Sequence, residues 1–403
     1  MAWRCWLYDT MTGLADVPLD VPQFSWSLSI SDSTLSTTRD KGTGDEGGSG
    51  LTLPWSAFPA GSREARARML APTRRAMVLA WDDGSDMGVP IIWGAIGSPT
   101  IGWLDVSFDL SSPLTLLGSR YAVREGAFGT GAGSTSTDVI SYSGMSLRGI
   151  LASLGELCTK AKPGGMLPID WRYAGEAGSH ERTYSAYDVA NLSWKKLATD
   201  IANVDGGPDF QFRPHWADSQ HVRLSFEAGS DSEPYLAQSG IIPTLTCFAG
   251  GGTIEDMSVA CLGPAMRVYG TGSGSDEATL CHLSQDLALC TQADPWPLVE
   301  STASSSDWDS ANLVKSHADS VLAASKTPLV QLTGKVSLSD EGGITLGQVW
   351  PGQLVDVDIR DHPYMPEGTY RMRLMSMAGD QSDMATLTFD QIPDPWSDPT
   401  VYR

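Results

Sequence analysis

Residues 346–377 read LGQVWPGQLVDVDIRDHPYMPEGTYRMRLMSM, and the fold is decided by this stretch. After Pro351-Gly352, Val355, Val357 and Ile359 point one way and Asp356, Asp358 and Arg360 the other, because successive side chains of a strand leave opposite faces. The spacing predicts a strand with one dry face. Asp361-His362-Pro363 and Pro366-Glu367-Gly368 then interrupt the run with residues that fix or free φ. Alternation resumes from Thr369 to Met377 through Tyr370, Met372 and Leu374. Strands joined in this way belong to a small antiparallel barrel or sandwich.

The same patterning recurs upstream. In residues 1–113, Phe24, Trp26, Leu28 and Ile30 alternate with serines, and Ala76–Trp81 and Val89–Ile96 flank Asp82-Asp83-Gly84 as a hairpin. Leu104, Val106, Phe108 and Leu110 line one face of a further strand. The glycine- and serine-rich stretch from Gly42 to Gly50 reads as a mobile loop or turn. From 114 to 240 the period changes. Leu147, Ile150, Leu151, Leu154 and Leu157 recur at helical spacing, as do Trp194, Leu197, Ile201 and Val204 after Ser193, a candidate N-cap. Gly206-Gly207-Pro208 ends the second helix, and Phe210–Arg213 and Val222–Phe226 follow as a strand pair, with Phe210 and Phe212 alternating with Gln211 and Arg213. A third module takes residues 241–283 and 327–403, with 284–326 as an insertion whose helix carries Val314, Ala318, Val321 and Leu322 on its apolar side. The class is α+β, mainly β.

Composition excludes several functions. A chain of 403 residues has length for two to four modules, and 41% hydrophobic content with 14 tryptophans supplies their cores. The 42 glycines and 24 prolines favour turn-rich β structure. A formal charge of −21 leaves no cationic excess to displace counterions from phosphate, so nucleic-acid binding is not expected. The bland reading of the acidity is solubility. Cys5, Cys158, Cys247, Cys261, Cys281 and Cys290 show no CxxC and read as reduced core residues. The N-terminus lacks a signal-peptide pattern and no apolar run reaches membrane-spanning length, so synthesis in a cytoplasm and no membrane insertion are expected.

The opening stretch resembles the C-terminal barrel of minor tail proteins that build the tail hub of long-tailed actinobacteriophages. Leu346, Gly347, Trp350, Pro351, Gly352, His362, Pro363, Pro366, Gly368, Tyr370 and Arg373 carry the likeness. Asp209–Pro214 and Met266–Gly272 fit the same family. The resemblance implies two related antiparallel β-barrels per subunit, an α+β domain and a small helical insertion, in a homotrimeric ring similar to the central baseplate hub of contractile-tailed phages. It implies a place in the virion at the tail tip, between a distal tail or tube ring above and a tip or fibre below. The genome passes through without specific binding, and no catalytic residue, metal or cofactor is inherited. In that setting an acidic channel wall would repel passing DNA.

The residues offer little competing chemistry. HExxH, GxSxG, P-loop and paired CxxC motifs are absent, and the six histidines lack ligand spacing. Asp356 and Asp358 share a strand face roughly 7 Å apart, within range of an inverting glycosidase pair. Acids at that spacing are more often a solvated face. His362 before Pro363 reads as a loop-shaping residue rather than a base. Gly270–Gly274 lacks the lysine and helix start of a phosphate cradle and reads as a flexible hairpin loop. Tryptophans such as Trp26, Trp81, Trp93 and Trp350 are assigned to cores or subunit contacts, with Trp296, between two prolines, as the candidate exposed aromatic and interface residue. Arg63, Arg66, Arg68, Arg74 and Arg75 are the one local cationic group, a candidate dock for an acidic neighbour. Two alternatives to the structural role are a glycan- or receptor-binding tail-tip protein and a cell-wall hydrolase.

Overall fold

A computed structural model describes residues 3–36, 50–59, 61–204, 206–238, 240, 242–306, 308–340 and 342–396. It is mainly β, with curled half-barrel sheets and few helices. The chain divides into two compact units, one of residues 1–245, 335–356 and 373–387, the other of residues 246–334, 357–372 and 388–403.

The first unit begins with β1 (Trp3–Asp9), β2 (Ala15–Leu19), β3 (Ser25–Ser29), β4 (Ser33–Ser36), β5 (Gly50–Pro54), α1 (Arg63–Met69), β6 (Arg75–Trp81), β7 (Val89–Ile96), β8 (Thr100–Ile101) and β9 (Asp105–Ser111). The sheet order is β2-β1-β6-β7-β9-β5, with β8 also against β9. The expected hairpin of β6 and β7 is present, with a register shift between Leu79 and Ala80. Both strands are buried almost throughout and do not alternate, since each face meets apolar neighbours. On β9 only Val106 and Phe108 are buried. Leu104 is exposed, contrary to its expected inward face, because the chain has already turned at Gly102, whose N–H donates to the Asp105 carbonyl at 2.9 Å. Residues 42–49 of the glycine-rich stretch lie outside the described residues.

Next come α2 (Pro113–Leu117), β10 (Val139–Met145), α3 (Leu147–Thr159), β11 (Ile169–Asp170), β12 (His180–Ser185), α4 (Trp194–Ala202), β13 (Phe210–Trp216) and β14 (Val222–Ala228). Ser193 caps α4 as expected, its hydroxyl accepting from Lys196 N at 3.3 Å, and Ser146 does the same for α3. One apolar core joins Tyr8, Val78 and Trp93 to Leu117, Ile150, Leu154, Trp194, Leu224 and Phe226. Its centre is aromatic: Trp194 lies 5.3–5.9 Å, centroid to centroid, from Trp171, Phe210, Phe212 and Phe226.

At the start of α3, Arg148 makes two hydrogen bonds of 2.7 Å to Glu176, and the Ser146 hydroxyl donates to the same carboxylate. The Arg148 guanidinium holds the Glu176 carboxyl below its ordinary value. A depressed carboxylate contributes stability above the unfolded-state pKa and loses it as pH falls through the folded one. Acid titration of wild type should therefore show destabilisation of the α3 region below about pH 4.3. Glu176→Gln should flatten that limb, and an unchanged acid limb would count against the assignment.

The C-terminal half supplies β15 (Thr244–Phe248), β16 (Gly251–Gly252), β17 (Ile254–Leu262), β18 (Arg267–Thr271), β19 (Cys281–Gln285), α5 (Ala288–Thr291), β20 (Glu300–Ser304), α6 (Ala311–Ser325), β21 (Leu329–Ser337), β22 (Leu354–Ile359), β23 (Gly368–Asp380) and β24 (Met384–Pro393). The second unit holds portions of a sheet in the order β16-β15-β22-β23-β24-β21-β17. The alternation of β22 is as expected: Val355, Val357 and Ile359 are fully buried. In the first unit, β3 pairs with β4 and with Ser376–Asp380 of β23.

The second unit also contains a small sheet, β19-β18-β20, with α6 across one face. Val314, Ala318 and Leu322 of α6 are buried, while Val321 is exposed at the flank of the stripe. The glycines of 270–274 are partly explained by this packing. A Cβ on Gly270 would stand 2.9 Å from the Ala318 Cβ and 3.1 Å from Val314, and one on Gly272 would meet Val314 at 2.5 Å. Gly270→Val should therefore lift α6 and cost about 1–3 kcal/mol, read as faster hydrogen exchange in α6. Unchanged protection would refute the close-approach account.

Cys5 and Cys158 are buried, and burial pushes both thiols up to about 12. Cys261 and Cys281 are exposed and so depart from the expected core role, because both lie on strands with a solvent face. No helix among the described residues is long and apolar enough to cross a membrane.

Candidate functional site

Two of the sequence segments singled out above meet in the first unit, around the turn Trp350-Pro351-Gly352-Gln353. Gly352 adopts φ +92°, and a Cβ there would press on Leu236 at 2.8 Å, so glycine is required twice over. Trp350 is buried; its backbone N–H donates to Gln353 Oε1 at 3.0 Å and its indole N–H to the Gly347 carbonyl at 3.0 Å. Gln353, only 1% exposed, donates onward to the Ala237 carbonyl. The turn is thus closed by its own side chains.

The Asp209–Pro214 segment locks onto it. Gln211 reaches the carbonyls of Ser29 and Pro351, and Arg213 donates to Gln211 Oε1 at 2.7 Å while lying 5.5 Å over the Trp350 ring. Gln211 therefore points inward, against the simple alternation expected for β13, because its amide has carbonyls to satisfy there. Burial lowers the Arg213 guanidinium to about 10. From β23, Arg373 donates to the Gly352 carbonyl at 3.0 Å, pairs with the Asp209 carboxylate and stacks 4.4 Å from the centre of the Tyr235 ring. Such forked and stacked guanidinium contacts fix the geometry of the turn.

In the second unit, His362 Nδ1 accepts the backbone N–H groups of Tyr364 and Met365 at 3.1 and 2.9 Å, so the imidazole caps a turn. Tyr370 donates to the Pro366 carbonyl at 2.8 Å, and Tyr364 donates to the buried Asp394 carboxylate, which also accepts Trp396 N–H. Asp358 is held by Arg360 at 2.6 Å. Among the described residues no group of three or more His, Cys, Asp or Glu is placed to hold a metal ion.

The arginine group is split. Arg63 and Arg68 are exposed on α1, which Ser62 caps; Arg66 is half-buried, 5.1 Å over the Trp55 ring; Arg74 is exposed. Arg75 is on β6 and buried, held by two hydrogen bonds from its guanidinium to Asp16, and so leaves the surface set. Trp296 is half-buried, not the exposed aromatic expected, its backbone N–H held by the Leu289 carbonyl at 3.0 Å. An exposed apolar group lies where the alternation pattern misled, at the β8–β9 turn: Ile101 is 64%, Trp103 97% and Leu104 81% exposed. Three apolar residues beside Gly102 were the available signal.

No family model and no curated protein matches the chain. Among solved structures, a 43 kDa tail protein of prophage MuSo2 from Shewanella oneidensis is similar at 9% identity and TM-score 0.46, covering 96% of this chain and 98% of its own. A tail protein from Neisseria meningitidis is similar at 14% identity and TM-score 0.45, covering 96% of each chain. An E. coli type VI secretion component, described as structurally similar to T4 bacteriophage tail proteins gp27 and gp5, is similar at 11% identity and TM-score 0.42. That match covers 96% of this chain and 76% of the other.

Proposed function

We propose that this chain is a structural subunit of a phage tail-tip hub. Three copies form a ring, each contributing two related β-barrels, residues 1–113 and residues 241–283 with 327–403, so that six barrels face a sixfold tube or distal tail ring and a threefold tip hangs below. The observation that carries this reading is the meeting of two separately family-like segments: Asp209–Pro214 and the Trp350 turn form one interlocked contact with Arg373. Residues spent on fixing backbone geometry, rather than on lining a polar cleft, suit a part that bears load.

The mechanism is geometric and non-enzymatic. Many weak contacts hold neighbours, and the acidic surface lines a channel through which DNA slides without adhering. A side-chain-resolution reconstruction of purified particles tests this: three copies in one ring at the tail tip are expected, and a different location or copy number overturns it. Asp-to-Asn changes on the channel wall should slow DNA ejection; an unchanged rate removes the channel role alone.

A further inference from the structure

We propose that the Ile101–Leu104 turn, with the exposed arginines of α1, is the contact by which one copy of this chain holds the next; the inference rests on the ring reading above. The knob and α1 meet at Trp55. The Trp55 indole N–H donates to the Gly102 carbonyl at 3.1 Å, Trp55 N–H donates to the Leu104 carbonyl at 3.1 Å, and Arg66 lies over the Trp55 ring. Arg63 and Arg68 stand on the same helix, exposed. An almost fully exposed tryptophan beside arginines has the composition of an interface hot spot.

Local charge selects the occupant. At a formal charge of −21 a second copy meets the same long-range repulsion as a membrane or nucleic acid, so the choice is local: exposed carboxylates set in an apolar wall match the exposed arginines and the apolar knob together. A receiving surface exists on the same chain. A groove of about 580 Å³ is lined by Trp3, Trp6, Leu19 and Phe58, with exposed Asp20 and Asp86 and a single cation, Arg4, among its walls. It offers apolar walls for Trp103 and Leu104 and acids for Arg63 and Arg68. The tip of each copy enters the groove of the next, and in a closed ring every tip and groove is used.

The test uses the purified full chain. By light scattering wild type is expected to be trimeric, and Trp103→Ala/Leu104→Ser and Arg63→Glu/Arg68→Glu are each expected to weaken association at least about tenfold with unchanged circular dichroism. Adding Asp20→Arg/Asp86→Arg to the arginine double variant restores the trimer. In otherwise wild-type protein, a photo-crosslinking benzoylphenylalanine at position 103 captures a second copy at the groove. Trimers in both double variants, crosslinks elsewhere, a monomeric wild type, or Trp103-dependent binding to glycan arrays or anionic vesicles by a monomer would each overturn this contact. The hub reading stands or falls separately on the location and copy number in the particle.

Discussion

Trp194→Ala is expected to lower the stability of the first unit by about 3–5 kcal/mol, the largest effect of any single core truncation considered. Trp194 is fully buried, packs against Trp171, Phe210, Phe212 and Phe226, and donates its indole N–H to the Leu151 carbonyl at 3.1 Å. Its removal leaves a void bounded by aromatic rings fixed on β13, on β14 and just after β11, which cannot close together, so the cavity cost adds to the lost transfer energy. Trp194→Phe should recover most of the loss because it retains apolar volume. Hydrogen exchange of α3 and α4, read beside the second unit as an internal reference, checks this; a loss under about 1 kcal/mol would contradict the packing account.

Arg373→Ala should cost about 3 kcal/mol by leaving Asp209 without its partner and the Gly352 carbonyl without a donor. The Arg373 side chain is 15% exposed and that of Asp209 27%, so solvent can replace the lost contacts only in part. Arg373→Lys keeps the charge but not the fork or the stack on Tyr235, and should recover less than half. In a double-mutant cycle, Asp209→Ala with Arg373→Ala should cost less than the sum of the single changes. Additive costs would mean that the turn is held by its backbone alone. Under the proposed function, these variants should also reduce incorporation into particles.

How far each element was legible depends on what fixed it. The strand at Leu354–Ile359 was readable because alternation and burial have the same period. The cap at Ser193 was readable because a hydroxyl before an apolar helix has one common use. Gln211 and Leu104 misled for opposite reasons. One is a polar residue drawn inward by carbonyls distant in sequence, and the other continues an apolar pattern past the residue where the chain turned. Arg75 reads as surface charge from its neighbours in sequence, but Asp16, 59 residues away, holds it buried.

Local periodicity, turn residues and composition determined by themselves that this protein is mainly β, turn-rich, acidic and without a recognisable catalytic motif, because each of those properties is set within a few residues of chain. Tertiary structure alone decided which glycines are packing surfaces for α6, which arginine is buried, and that Trp103 rather than Trp296 stands in solvent. Those outcomes depend on partners brought together from distant parts of the sequence, and the energy of a side chain is set by those partners.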